Sequence, residues 1–244
     1  MSQRSIYKIS GPEREHFLQG LVSNDVSRLK DGAVYAALLS PQGKYLADFL
    51  LVPWDDAILL DIDASIAPAT MRRLAMYKLR AKAEIEETEL KVYRGTSAPA
   101  PEGAVMDPRH PALGWRLYGE AEGDDGSDFD AIRVAHCIPE TGIELTPDTF
   151  ILEAGFERLH GVDFRKGCYV GQEVTARMKH KTELRKGLVC VEVTGAAAPG
   201  TEIRAGEKPA GILFTQAGGK GIAYLRFDRA GEAMQAGDAV VRYS

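Results

Sequence analysis

Long hydrophobic runs are missing from this chain. Nowhere do eighteen apolar residues follow one another, which excludes a helical membrane span, and the opening stretch MSQRSIYK has no apolar segment behind its charges, so no secretory leader is expected. Cysteine is scarce: Cys137, Cys168 and Cys190 lie far apart and form no Cys-x-x-Cys pair, which argues against a disulfide framework and against a zinc site built of thiolates. His16, His110, His136, His160 and His180 show no metal-ligand spacing with one another or with a cysteine, so no stably bound metal is expected. No phosphate-binding motif is present either, because Gly218-Gly219-Lys220-Gly221 lies between strand-like segments and opens no helix. Trp54 and Trp115, the two tryptophans, read as core or lobe-contact residues. These absences point to a protein of a reducing compartment, cytoplasmic in expectation, with no membrane association.

What is present is the material of a globular core: 244 residues, 45% of them hydrophobic. The net charge of -5 disfavours a nucleic-acid partner, but its distribution is uneven. From Gly119 to Asp130 there are six carboxylates, three glycines and no base, the composition of a solvated loop. From Arg165 to Lys186 seven Lys or Arg face only Glu173 and Glu183, a segment that attracts an anionic ligand or simply forms a basic surface.

The periodicity predicts an α+β chain. A helix is expected from Ser10-Gly11-Pro12-Glu13 onward, burying Phe17, Leu18, Leu21 and Val22 and ending near Asn24-Asp25. Val34 to Leu39, Tyr45 to Val52 and Ala57 to Ile62 read as a meander, with Ser40-Pro41-Gln42-Gly43 as its first turn. A helix over Ile66 to Leu79 and a strand from Ala83 to Glu86 follow, then a crossing between lobes near 95–102, rich in Ala, Pro, Ser and Thr. Phe129 to His136 suits a short helix. Beyond Gly187, short runs alternate with Gly and Pro turns (Leu188 to Val193, Ala210 to Phe214, Ile222 to Phe227, Ala239 to Tyr243), the spacing of a small β-barrel or sandwich. The expected division is therefore 1–183 for two mixed lobes and 184–244 for the β-rich tail.

The chemistry concentrates in Arg165-Lys166-Gly167-Cys168-Tyr169-Val170-Gly171-Gln172-Glu173-Val174-Thr175-Ala176-Arg177, where a cysteine sits between two glycines ahead of a helix-like segment. A helix beginning at Gln172 and the charge of Lys166 would favour the thiolate of Cys168, and Glu173 would oppose it. The competing reading makes Cys168 a small buried hydrophobe.

The stretch KGCYVGQEVTAR resembles the signature of the YgfZ family, itself similar in fold to the folate-dependent aminomethyltransferases of the GcvT superfamily. FLQGLVSNDV from Phe17, LLSPQGKYLADFLLV from Leu38, MRRLAMYKLRAKAEIEE from Met71 and FILEAGFERLHGVDFRKGCYVGQE from Phe150 carry the same resemblance in the expected order. It implies a cloverleaf of mixed α/β lobes with a small C-terminal β-barrel, a tetrahydrofolate ligand, and a role in assembly or repair of iron-sulfur enzymes through transient contact with them or with cluster-assembly proteins. The signature falls on Lys166, Gly167, Cys168, Tyr169, Gly171, Gln172, Glu173 and Arg177, with Cys168 as the functional thiol and Arg177 counted toward the folate. The Leu-Glu-Ala-Gly stretch at 152–155 points to Glu153 as the acid holding the pterin, a role that suits a carboxylate because it accepts paired N–H donors; the alternative is a helix-surface glutamate. Asn24 and Asp25 resemble a further folate-lining position, or are a helix stop.

The transferases carry two adjacent aspartates where this chain reads Leu46-Ala47-Asp48-Phe49, so one acid is replaced by alanine. Asp48 remains as a candidate acid, or points into solvent from a strand. The reading favoured is a non-catalytic folate-binding accessory protein. The alternatives are a folate-dependent aminomethyltransferase or demethylase acting on a small amine, and a thiol that forms mixed disulfides with Cys137 or Cys190 resolving it.

Overall fold

The computed structural model describes residues 3–180, 183–231 and 233–243. Strands β1 (Arg4–Ser10), β2 (Val34–Leu39), β3 (Tyr45–Trp54) and β4 (Ala57–Asp63) are followed by helix α2 (Ala67–Lys78) and β5 (Glu84–Glu87), with the short helix α1 (Arg14–Gln19) after β1. Next come β6 (Lys91–Gly95), β7 (Val105–Met106), β8 (Trp115–Gly119), β9 (Gly123–Asp124), α3 (Phe129–His136) and α4 (Gln172–His180). The tail holds β10 (Lys186–Thr194), β11 (Thr201–Ala205), β12 (Lys208–Ala217), β13 (Lys220–Arg226), β14 (Met234–Ala236) and β15 (Ala239–Arg242).

Two compact units share these elements. The first contains the chain up to Ser127 together with Glu157–Ala176; the second contains Asp128–Phe156 and the chain from Arg177 on. All six strands of the tail, from β10 on, lie beyond residue 184. Residues 128–156 group with the tail because α3 packs Val134 and Cys137 against Ile222, Leu188 and Cys190. The stretch 95–102 lies inside the first unit.

In the first unit an antiparallel sheet runs β2-β3-β4-β1-β5, and a second sheet runs β7-β8-β6-β9, with β9 parallel to β6. The meander β2-β3-β4 agrees with the alternation and turn residues of the sequence. Strand β1 was not expected: Ile6, Tyr7 and Ile9 are buried, and it pairs with both β4 and β5. The expected long first helix is shortened to α1, because Val22 leaves the helix to bridge Leu38. The segment 119–130 is more structured than a solvated loop. It contributes β9, and Asp125 accepts hydrogen bonds from the backbone N–H groups of Thr96 and Ser97, while Asp128 caps α3 through Ala131. In the second unit, β10-β13-β12-β11-β14-β15 close into a six-stranded barrel around Val191, Ile203, Leu213, Leu225 and Val241. The barrel's β11 and β14 had no sequence signal, β11 being broken by Glu202 and Arg204 and β14 being three residues long.

Charged residues tie the two sheets of the first unit together. Asp61, fully buried on β4, accepts from Arg4 Nε (2.6 Å), Arg116 Nη1 (2.9 Å) and the Tyr118 hydroxyl (2.9 Å). Arg116, on β8, also reaches Asp107 (3.0 Å), and Asp107 is gripped by the guanidinium of Arg109 at 3.0 and 2.7 Å. Arg109 lies over the ring of Tyr35 at 5.6 Å. Burial pushes the carboxyls of Asp61 and Asp107 up, but Arg4 and Arg116 around the first and Arg109 and Arg116 around the second more than reverse this, so both pKa values fall below the ordinary carboxylate range.

Replacing Arg116 removes a partner from two buried carboxylates at once, so Arg116→Met is expected to cost about 3 kcal/mol in urea denaturation. Because the folded pKa values of Asp61 and Asp107 are depressed, their contribution is present above the unfolded carboxylate value and is lost as acid protonates them. Thermal midpoints should fall as pH drops below about 4, and a flat profile there would show that the network adds nothing.

Candidate functional site

The loop carrying Cys168 belongs to the first unit and is held from several sides. Asp163 accepts from the backbone N–H groups of Arg165 (2.7 Å) and Lys166 (3.2 Å), and its own N–H donates to the Ser23 carbonyl (3.1 Å). Ser23 Oγ in turn donates to the Gly161 carbonyl (2.6 Å) and accepts from Ala37 N–H on β2 (2.8 Å). Lys166 is buried. Its ammonium donates to the carbonyls of Gln19 (2.8 Å), Val22 and Asn24 (2.9 Å), and lies 5.0 Å from the centre of the Tyr169 ring. Burial lowers its pKa to about 8, against the opposing pull of Asp25 and Asp163. Its ammonium is thereby held by the carbonyl of the last residue of α1 and by two carbonyls of the segment that follows it.

Gly171 closes the other side. It has φ +83°, and a Cβ there would lie 2.6 Å from the Ser40 carbonyl oxygen and 2.9 Å from Leu39 Cβ. The loop thus rests directly on the β2–β3 turn. Gln172 opens α4, as expected, and Glu173 is exposed. Between the buried Lys166 and Tyr169, only Gly167 and Cys168 stand exposed. The reading of Cys168 as a buried hydrophobe is excluded. Gly167 differs from Gly171 in having open space where a Cβ would go. Cys137 is buried, and Cys190 donates to the Val134 carbonyl at 2.8 Å, so Cys168 is the one exposed cysteine.

Asp48 does not point into solvent. It is buried on β3 with Tyr35 Oη donating to Oδ2 (2.9 Å) and Tyr45 Oη to Oδ1 (2.6 Å). Burial, with the adjoining negative charge of Asp48, pushes the Tyr35 phenol well above its usual value, so it remains a donor. Tyr35 and Tyr45 were missed by the sequence reading. The available signal was two tyrosines and one aspartate in otherwise apolar strands, a combination that requires internal hydrogen bonding.

The other folate candidates separate. Asn24 is buried, its amide donating to the carbonyls of Tyr35 (2.7 Å) and His160 (2.6 Å), and its Oδ1 accepting from Asp25 N–H (2.9 Å). Its side chain also lines a cavity of about 230 Å³ with Arg28, Tyr35, Pro108 and His160. Asp25 accepts from Ser27 N–H and Gln19 Nε2, each at 3.0 Å, and caps the 3-10 turn Val26–Asp31. Burial raises its pKa, but these hydrogen bonds and Lys166 lower it by more.

Glu153 lies in the second unit and is not on a helix surface. It is buried, its Oε2 accepting from the Tyr224 hydroxyl (2.5 Å) with Lys186 Nζ 3.8 Å away, and its Oε1 takes no hydrogen bond from the described residues. It lines a cavity of about 1010 Å³ together with Met178, Arg185, Lys186, Arg226 and Phe227. Arg177 is exposed on α4 and also belongs to the second unit. Lys181, part of the basic run, lies outside the described residues. Among the described residues no group of His, Cys, Asp and Glu is arranged to hold a metal ion.

The fold defines a class first. The glycine cleavage system aminomethyltransferase T from Bartonella henselae superposes with a TM-score of 0.77 at 15% identity, covering 98% of this chain and 82% of that one. The protein is a mixed α/β chain with the GcvT-like fold, ending in a six-stranded barrel. Residues 185–244 match the family described as "CAF17, C-terminal beta-barrel domain". The mitochondrial iron-sulfur cluster assembly factor IBA57 of Mus musculus is 32% identical, the match covering 91% of this chain and 75% of that protein. The Homo sapiens protein of the same name is 30% identical with the same coverage. The IBA57 homolog of Mycosarcoma maydis is 32% identical over 80% of this chain, and the match spans 57% of that longer protein. This chain belongs to the IBA57 family of iron-sulfur cluster assembly factors. Those relatives are named as mitochondrial, a location the cytoplasmic expectation did not foresee; among the described residues no helix is long and apolar enough to cross a membrane.

The two loop glycines give a direct check on the geometry. Gly171→Ala meets backbone at 2.6 Å in a left-handed conformation and is expected to lose about 2 kcal/mol or more in urea denaturation. Gly167→Ala should stay within about 0.5 kcal/mol of the parent. Equal effects would contradict the docking of the loop on the β2–β3 turn.

Proposed function

We propose that the protein is a tetrahydrofolate-binding accessory factor that serves iron-sulfur enzymes through the thiol of Cys168. The observation that carries this reading is the exposure of Cys168 on a loop whose flanks are fixed by the buried Lys166 and Tyr169. A thiol held this way is presented to a partner with little ordering cost on contact. A conventional cluster takes about four thiolates. With Cys137 buried and Cys190 bonded to a carbonyl, this chain offers one ligand to a cluster in transit, and the partner supplies the others.

For the folate, Glu153 is the residue whose surroundings fit. Its carboxylate lines a cavity of the size that takes a cofactor, Tyr224 fixes one oxygen, and Arg185, Lys186 and Arg226 line the same space with charge suited to the carboxylates of a folate tail. Tetrahydrofolate bound there would bring a one-carbon carrier and a readily oxidised pterin. Asn24 and Asp25 act through the fold, because the Asn24 amide is bonded to backbone carbonyls and Asp25 Oδ1 to Ser27 N–H and Gln19 Nε2. The transferase reading is disfavoured by Asp48, whose two oxygens each accept a tyrosine hydroxyl in a buried setting.

Cys168→Ser is expected to keep the parent's urea midpoint and folate affinity. In a strain carrying only that variant, the activity of an iron-sulfur enzyme should fall to the level of a strain lacking the protein; undiminished activity would remove the thiol from the function. In anaerobic calorimetry with tetrahydrofolate, Glu153→Gln should weaken binding about tenfold, and unaltered affinity would place the pterin elsewhere.

A further inference from the structure

Helix α2 packs Ala67, Thr70 and Leu74 into the core of the first unit, with Met71 partly buried beside them. Its outward face ends in a cluster that the fold does not use. Met76 is 75% exposed, Leu79 87% and Tyr77 37%, three large apolar side chains within four residues. Leu79 also has φ +44°, a backbone conformation suited to glycine, and gains no burial in return. Around them the segment 67–82 carries Arg72, Arg73, Lys78, Arg80 and Lys82 with no carboxylate, in a chain whose net charge is -5. Arg72 and Arg73 lie one helical turn before Met76 and Tyr77. Neither they nor Arg80 pairs with a carboxylate among the described residues.

We propose that this end of α2 and the turn at Leu79 form a docking surface for an acidic partner protein. Met76, Tyr77 and Leu79 enter an apolar depression of the partner, and Arg72, Arg73 and Arg80 meet carboxylates at its rim. Methionine, tyrosine and arginine are the residues enriched at protein interfaces, and a planar guanidinium suits paired contact with carboxylates. A membrane surface fits less well, because a helix lying on lipid presents apolar residues along its whole length. The apolar stripe of α2 instead faces the core, leaving apolar groups outside at one end only. A second copy of this chain fits poorly too, since its acidic segment is largely engaged: Asp125 with Thr96, Ser97 and Ser127, Asp128 with Ala131, and Asp130 with Arg133. The surface goes beyond the thiol and folate reading and stands without it.

The test places a photo-reactive residue at Met76 in the full chain, identifies the protein cross-linked in cells, and titrates that purified protein against the parent and two variants. The expected partner has an acidic face. Its affinity falls at least about tenfold for the double variant Arg72→Glu/Arg73→Glu and declines with salt. Leu79→Gly should weaken binding about fivefold while leaving the thermal midpoint equal or higher. Cross-links confined to a second copy, no cross-link at all, or a captured protein that binds the variants as tightly as the parent would each overturn the proposal. So would sedimentation of the parent, and not of the double arginine variant, with phosphatidylglycerol vesicles.

Discussion

The first unit depends on one alternation of charge with a buried centre: Arg4, Asp61, Arg116, Asp107 and Arg109 follow one another from β1 and β4 to β8 and the loop after β7, with Asp61, Arg116 and Asp107 buried and the outer arginines partly so. Buried charges are expensive unless each is paired and hydrogen-bonded, so the two sheets are constrained to the arrangement that satisfies all five. Apolar packing alone would tolerate a slip between sheets; a carboxylate between two guanidinium groups does not. The chain of contacts continues through the Tyr35 ring to Asp48 and Tyr45, so the same constraint sets the polar centre of β2 and β3.

The Cys168 loop follows the same logic at smaller scale. A buried lysine gathers three carbonyls from the end of a short helix and the segment after it, and a glycine in the left-handed region lets the loop settle against the neighbouring turn. Positively charged and polar groups that look functional in a list of residues are thereby consumed in holding the loop. What they leave outside is a glycine and a thiol. The presenting role proposed for Cys168 rests on that arrangement, and Asp48 is held by two tyrosines elsewhere in the same unit.

The family relationship and the electrostatics of the surface carry different information. Membership of the IBA57 family is what the proposed role in iron-sulfur cluster assembly rests on. The basic, apolar end of α2 concerns recognition, and its physical signature is surface that costs the isolated protein something and returns nothing to its core.

The sequence by itself determined the local elements whose signals are local. The meander β2-β3-β4, α2, α3, the start of α4 at Gln172 and four of the six barrel strands were legible from periodicity and turn residues within a few positions of one another. The resemblance around KGCYVGQE also located the loop and its thiol. Only the tertiary structure decided the rest, because it depends on partners far apart in the chain. Lys166 reads as a free cation until its ammonium is seen among carbonyls more than 140 residues earlier. Asn24 and Asp25 stand side by side in the sequence with no sign of the bonds that the fold gives them, to the carbonyls of Tyr35 and His160 and to Gln19. Asp61 in Ala-Ile-Leu-Leu-Asp-Ile-Asp gives no indication of the two arginines that neutralise it, 57 positions before and 55 after. Charge pairing of that kind is a property of the folded geometry, and no window of sequence contains it.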